Sequence, residues 1–207
     1  MKVAVVGAGL AGLVAALELS ERGHEVVLFE KRPWAGGRTY SHDDRDSGAE
    51  LDNGQHVFMR CTTAYRWLLR KLGTDSLTEL QPRLDALVFD EEGRPAKLAA
   101  DPLPAPFHLA RSFAHYRHLT VGERLSAARA LAQVWRMSEP ARLSLAGRSF
   151  ADWLAEHGQG ARARRALWDF VVLPTLNCTA EEASAADALF VFRRALLQRA
   201  DAAGIGV

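Results

Sequence analysis

The stretch KVAVVGAGLAGLVAALELSERGHEVVLFE, residues 2–30, decides the fold. KVAVV is an unbroken, mostly β-branched run of the kind that suits a strand buried on both faces. Beyond it, Leu10, Leu13, Val14 and Leu17 recur at helical spacing. Gly23 stands where a left-handed residue would close that helix, and EVVLFE supplies a second strand with Glu30 at its end. Strand, helix and strand in that order make a β-α-β unit, and with it an α/β fold built around a parallel pair.

Within the unit, Gly7, Gly9 and Gly12 are spaced G-x-G-x-x-G, and Glu30 lies eighteen residues after the last of them. Gly7 permits the tight turn, Gly9 lets backbone approach a pyrophosphate, and Gly12 lets the helix lie close to the strand. An acid at Glu30 can accept hydrogen bonds from ribose hydroxyls. It would repel a 2′-phosphate, which disfavours NADP and leaves NAD and FAD open. The following segment, EKRPWAGGRTYS at 30–41, adds Gly36 and Gly37, which again allow close approach, and Arg38, whose guanidinium suits phosphate oxygens. The charged, apolar start resembles a secretory leader, but its glycines fall where a strand must turn into a helix and no convincing cleavage site follows.

Composition narrows the partners. The chain has 207 residues, 48% of them hydrophobic, enough for a real core. Its 26 Lys and Arg against 25 Asp and Glu give a formal charge of +1, so no global field draws it to nucleic acid. Cys61 and Cys178 lack metal-site or disulfide-framework spacing, so no metal is expected and a reduced, cytoplasmic setting fits. No run of eighteen apolar residues suggests a membrane span.

The later sequence changes character. TAYRWLLRKLG at 63–73 reads as an amphipathic helix stopped by Gly73, and ALVFDEEGRPAKL at 86–98 as two short strands around Gly93. DPLPAPF at 101–107, with three prolines, marks the expected boundary between residues 1–100, the first part of a dinucleotide domain, and 101–207, a helical region. In that region Thr120 with Glu123, Ser149, and Thr179 with Glu182 are expected helix caps, the last for a long final helix. Arg162, Arg164 and Arg165 form one basic cluster and Arg193, Arg194 and Arg199 another; each reads either as a solvated face or as a rest for anionic headgroups.

An acid, a short spacer and Gly-Gly-Arg after the first β-α-β unit resemble the FAD-dependent amine oxidase and phytoene desaturase superfamily. The resemblance implies a Rossmann-like FAD domain with an inserted, mostly helical substrate region. It makes Gly7, Gly9, Gly12, Glu30, Gly36, Gly37 and Arg38 cofactor contacts. A strand through SGAELDNGQHVF at 47–58 would then lead toward the isoalloxazine ring, with Gly54 and Gln55 beside it. The DNGQHV segment is similar to that of hydroxysqualene dehydroxylases, as are PLPAPFHL at 102–109, ADWLAEHGQ at 151–159 and LWDFVVLPTLNCTAEEASA at 167–185. FMRCTTAYRWLLRKLG at 58–73 departs from that family in being more polar.

That likeness implies a reductive removal of the hydroxyl of hydroxysqualene to give squalene, with His56 or Asp52 as proton donor, a polyprenyl hydrocarbon held in an apolar tunnel, and peripheral membrane contact. A phytoene desaturase-like or amine oxidase-like activity is the alternative. Superfamily members are longer and return to the dinucleotide domain near their C-terminus. The expectation is therefore an incomplete FAD domain: an N-terminal part, or one half of a split protein completed by a second chain. A non-catalytic FAD-binding fragment remains the reading of a different class.

Overall fold

The computed structural model describes residues 1–54 and 57–207, and these fall into two compact units. The first comprises Met1–Val57 with Trp67–Gly73, the second Phe58–Arg66 with Thr74–Val207.

In the first unit β1 (Lys2–Val6) leads into α1 (Leu10–Glu21) and back to β2 (Glu25–Phe29). The strands pair in parallel, with Lys2 opposite Glu25 and Val6 opposite Phe29. The helix ends as the sequence indicates: Gly23 adopts φ +79°, its N–H reaches Ser20 O, and that of His24 reaches Leu19 O. Alternation along the strands turns Val3, Val5, Val26 and Leu28 inward. Val6, Val27 and Phe29 on the other face are 86%, 47% and 55% exposed, so this face is open among the described residues, where a strand buried on both sides was expected.

A short antiparallel pair follows, β3 (Ser41–Asp43) with β4 (Glu50–Asp52). The single strand expected through residues 47–58 is broken. β4 stops at Asp52, Gly54 takes φ +136°, a conformation open to glycine alone, and β5 (Phe58–Met59) pairs in the second unit instead. α2 (Thr63–Leu72) then closes on Gly73 at φ +70° as expected. Its last turn belongs to the first unit, where Lys71 Nζ pairs with Glu18 at 2.6 Å and Glu21 at 2.5 Å.

The second unit opens with the expected hairpin, β6 (Asp85–Phe89) and β7 (Pro95–Ala99), turning at Gly93 with φ +74°. Helices follow: α3 (Ala110–Ala114), α4 (Val121–Arg136), α5 (Glu139–Leu143), α6 (Phe150–Glu156), α7 (Ala161–Ala163), α8 (Asp169–Leu176) and α9 (Ala185–Val191). β8 (Ile205–Gly206) pairs with β5. Val88 and Ala96 of the hairpin belong to the same buried cluster as Tyr116, Val134, Phe150, Trp153, Trp168, Val172, Leu189 and Phe192. Residues on both sides of the proline segment thus share one core.

The core is aromatic at its centre. Trp168 meets Phe192 edge-on at 4.8 Å and Phe150 at 5.9 Å, and each fully buried large side chain of this kind contributes about 1.5–3 kcal/mol over exposure. Its indole N–H would be stranded there without an acceptor. Nε1 donates to Gln159 Oε1 at 3.0 Å, while Gln159 Nε2 donates to Ser126 Oγ and His157 O at 2.9 Å each.

Two of the three expected caps sit where the sequence puts them: Thr120 and Glu123 form a reciprocal box at α4, and Ser149 Oγ accepts the Asp152 N–H at α6. The third is displaced. Glu182 accepts from the Thr179 N–H and hydroxyl, but the pair closes a turn, and α9 begins only at Ala185 behind Ser184. Backbone bonds from Phe150 N–H to Ala183 O and from Ala151 N–H to Ala180 O hold 180–183 against the start of α6, so those carbonyls are not available for a helix. The long final helix is therefore seven residues of α9 continued by a π-helical turn over Phe192–Leu197.

Candidate dinucleotide site

The turn after β1 is built by backbone. Gly7 takes φ +96° and donates its N–H to Phe29 O at 2.7 Å, which fixes the strand ends side by side. Gly12 is the packing glycine: a Cβ there would lie 1.8 Å from Gly7 O, so only hydrogen lets α1 start this close to the turn. The N-terminus of α1 has no side-chain cap and no acid in its first turn. Its orphan N–H groups and the positive end of its dipole are thus left for an external anion.

Residues far along the chain complete the cradle. Gly36 donates to Ala8 O at 2.8 Å and bridges Gly9 in parallel register. Gly37, at φ +67°, comes so near that a Cβ on it would meet Gly9 Cα at 2.9 Å. Both glycines thus let this loop lie close against the backbone of Ala8 and Gly9. Arg38 follows, exposed, with no side-chain partner among the described residues. Asn53 Nδ2 donates to Arg38 O at 3.1 Å and the Asn53 N–H to Tyr40 O at 3.0 Å, so the Asp52-Asn53-Gly54 turn is tied to the Gly-Gly-Arg loop.

Glu30 lies across the turn. Its Oε2 accepts the Ala8 N–H at 2.7 Å and its Oε1 the Arg32 N–H at 2.9 Å. These bonds, the Ala8 one foremost, hold the carboxyl below its usual range and hence ionised. Each oxygen keeps a second lone-pair direction for a hydroxyl. Glu30 and Gly7, with Val6, Phe29 and Lys31, line an open cleft of about 440 Å³. Residues and cleft together fit a ribose and pyrophosphate: a turn in which a Cβ at Gly12, Gly36 or Gly37 would clash with backbone, an uncapped helix end, and a preorganised acid.

The catalytic candidates are less defined. Asp52 is exposed at the end of β4 and accepts the Ser41 hydroxyl at 2.7 Å. Gln55 and His56 lie outside the described residues. Sequence reasoning missed two features here: the reach of Gly36 back to Ala8, and the role of Asn53, which the alternation of polar residues around Gly54 could have suggested.

The parallel unit, its glycine turn and the acid after β2 define a dinucleotide-binding protein of the Rossmann type. Comparison with known proteins gives the particular kind. The family model described as flavin containing amine oxidoreductase matches residues 10–202. A probable zeta-carotene desaturase of Synechococcus elongatus is 32% identical over 203 residues, 93% of this chain and 42% of that protein. The hydroxysqualene dehydroxylase of Zymomonas mobilis is 35% identical over 104 residues, 48% of this chain and 25% of that protein. The structure of putrescine oxidase bound to putrescine aligns with a TM-score of 0.66 at 25% identity, over 93% of this chain and 42% of that one. The chain belongs to the flavin-containing amine oxidoreductase family, within the superfamily of amine oxidases and phytoene-type desaturases, and its cofactor is FAD. It spans less than half the length of the curated relatives it matches. Among the described residues no helix is long and apolar enough to cross a membrane.

Proposed function

We propose that the protein is an FAD-dependent oxidoreductase acting on a polyprenyl hydrocarbon, and that its reaction is the reductive removal of the hydroxyl of hydroxysqualene. The observation that supports the class is the Gly7–Gly12 turn braced by Gly36, Gly37 and Glu30, a backbone cradle for a pyrophosphate. The finer reading rests on the DNGQHV segment and on the hydroxysqualene dehydroxylase relative, whose 35% identity covers about half of the chain. Reduced FAD supplies hydride when bound.

The chain's own part is to hold the dinucleotide through Gly7, Gly9, Gly12, Glu30, Gly36, Gly37 and Arg38, with Gly54 and Gln55 of the DNGQHV segment as further candidate contacts. A proton must reach the departing oxygen so that it leaves as water, and His56 and Asp52 are the titratable groups of the adjoining segment. Water must otherwise be kept from the allylic carbon, a task for apolar side chains of the helical region.

Desaturation is the second reading, favoured because zeta-carotene desaturases match up to 93% of the chain. The protein expressed from its intact gene is to be incubated anaerobically with reduced FAD and hydroxysqualene, and separately with oxidised FAD, zeta-carotene and an electron acceptor. Squalene in the first arm alone supports the proposal. A more unsaturated carotenoid in the second alone replaces it with desaturation. FAD binding without turnover in either arm places the chain as the flavin-binding partner of a second one.

A further inference from the structure

We infer that a recess in the second unit, lined by Arg60, Arg66, Arg194 and Arg199, binds a phosphate group. This site is independent of the dinucleotide cradle and of the reaction proposed above.

Four arginines line this recess and, among the described residues, one carboxylate, Asp201. The imbalance is local, because the whole chain carries a formal charge of just +1. Two of the arginines are held in place by backbone rather than by acids. Arg60 donates from Nε and Nη2 to Gln81 O at 3.2 and 2.7 Å, and Arg66 donates from Nη1 to Arg60 O at 3.0 Å. Carbonyl acceptors fix the planes of these forks without neutralising their charge, so the ordering of long side chains is already complete before an anion arrives. Arg194 has no ion-pair partner among the described residues, where its one side-chain hydrogen bond is to Gln198 Oε1 at 3.4 Å. Its neighbour Arg193 is turned away to Met137 O and Glu139. Arg199 spans Asp201 with bonds of 3.1 and 3.0 Å.

The backbone adds to the same field. Arg194 sits on the π-helical turn Phe192–Leu197, a widened geometry that recurs at functional sites, and Thr63 at the positive end of α2 lines the recess too. Size selects the ligand. The recess measures about 40 Å³, room for one small tetrahedral oxyanion by the measure in which a water needs about 10–15 Å³, and too little for a nucleoside or a prenyl chain. Planar forks suit phosphate oxygens in bidentate fashion, which favours phosphate over a halide. The phosphate can be that of a soluble phosphoester or of a phospholipid headgroup, the two sources of one chemistry.

The test is a titration of the full chain, with FAD added to occupy the glycine turn, by inorganic phosphate followed by calorimetry. Saturable binding is expected. Arg194→Gln should weaken it by about tenfold or more, whereas Arg129→Gln, on the exposed side of α4, should leave it unchanged. Asp201→Asn should tighten it, because the variant frees Arg199 and removes the competing carboxylate; a purely structural arginine cluster would not gain affinity this way. Bound phosphate should also slow alkylation of Cys61, which lines the recess, relative to Cys178. Phosphatidylcholine vesicles with and without phosphatidic acid assign the source: Arg194-dependent capture by the acidic vesicles identifies a headgroup, and its absence beside intact phosphate binding identifies a soluble ester. No saturation, or equal weakening by Arg194→Gln and Arg129→Gln, overturns the proposal.

Discussion

Glu30 Oε2 accepts the backbone N–H of Ala8 at 2.7 Å, so the acid after the second strand is bonded to the middle of the glycine turn that follows the first. One side chain therefore shapes the glycine turn, and in the proposed site it is also the group that would present oxygens to the ribose. Glu30→Gln can keep the Ala8 bond through its one oxygen but loses the charge and the acceptor for Arg32 N–H, and should weaken FAD binding by about tenfold, the scale of one charge-assisted hydrogen bond. Glu30→Ala also releases Ala8 and should weaken it further. Titration of flavin fluorescence reads both, and equal affinity of wild type and Glu30→Gln would remove Glu30 from the site.

The glycines of the cradle differ in what they tolerate. Gly12→Ala places a methyl 1.8 Å from Gly7 O, and Gly37→Ala places one 2.9 Å from Gly9 Cα at φ +67°, so either must push the turn open. Both should abolish flavin binding. Gly23→Ala is the contrast: its φ of +79° is strained for alanine, at about 1–2 kcal/mol, but its Cβ meets nothing within 4 Å. That variant should melt lower and bind FAD normally. Loss of flavin from Gly23→Ala would show that global stability, and not the cradle, controls binding.

What could be read in the sequence follows from the range of the interactions involved. The β-α-β unit, the hairpin at Gly93 and the Thr120 cap are each set within one continuous stretch of chain, between segments that follow one another, and the structure has each of them. The broken strand near Gly54 and the late start of α9 were not legible. Each is decided by partners far along the chain: β5 pairs with β8, and the residues before Ser184 are held by α6. The cradle falls between these cases. Its residue types were visible, but the bond from Gly36 to Ala8 depends on how a loop folds back.

Trp168 offers a test of the helical core. Trp168→Phe keeps an aromatic ring among Phe150 and Phe192 but strands Gln159 Oε1, a buried acceptor whose partner is gone. The unmet acceptor costs about 1–3 kcal/mol, with a further loss from the smaller ring. Gln159→Leu also removes the Nε2 bonds to Ser126 Oγ and His157 O, so the comparison is a cycle: Trp168→Phe should cost less in the Gln159→Leu background than in wild type, because the acceptor it strands is already absent there. Urea unfolding of the four proteins measures the cycle, and an equal cost in both backgrounds would place the loss in packing alone.

The box at the start of α4 makes stability depend on acid pH. Thr120 Oγ1 accepts the Glu123 N–H at 3.3 Å, Glu123 Oε2 accepts the Thr120 N–H at 2.8 Å, and Arg162 Nε donates to Glu123 Oε1 at 3.0 Å. Thr120→Ala should cost about 1 kcal/mol at neutral pH. The Arg162 guanidinium first, and then the Thr120 donors against the effect of burial, bring the Glu123 carboxyl from 4.5 to about 2. A carboxyl whose folded value lies below its unfolded one stabilises fully above the unfolded value and loses that contribution as pH falls through the folded one. Wild type should therefore exceed Glu123→Gln in stability by a constant margin above about pH 5, and the margin should shrink between pH 4.5 and about 2. Arg162→Gln should narrow that window from below, because without its guanidinium the carboxyl titrates nearer 4.5. Urea midpoints for the three proteins between neutral and acid pH give the comparison, and a margin that stays constant through the acid range would mean that Glu123 is not held by Arg162 in solution.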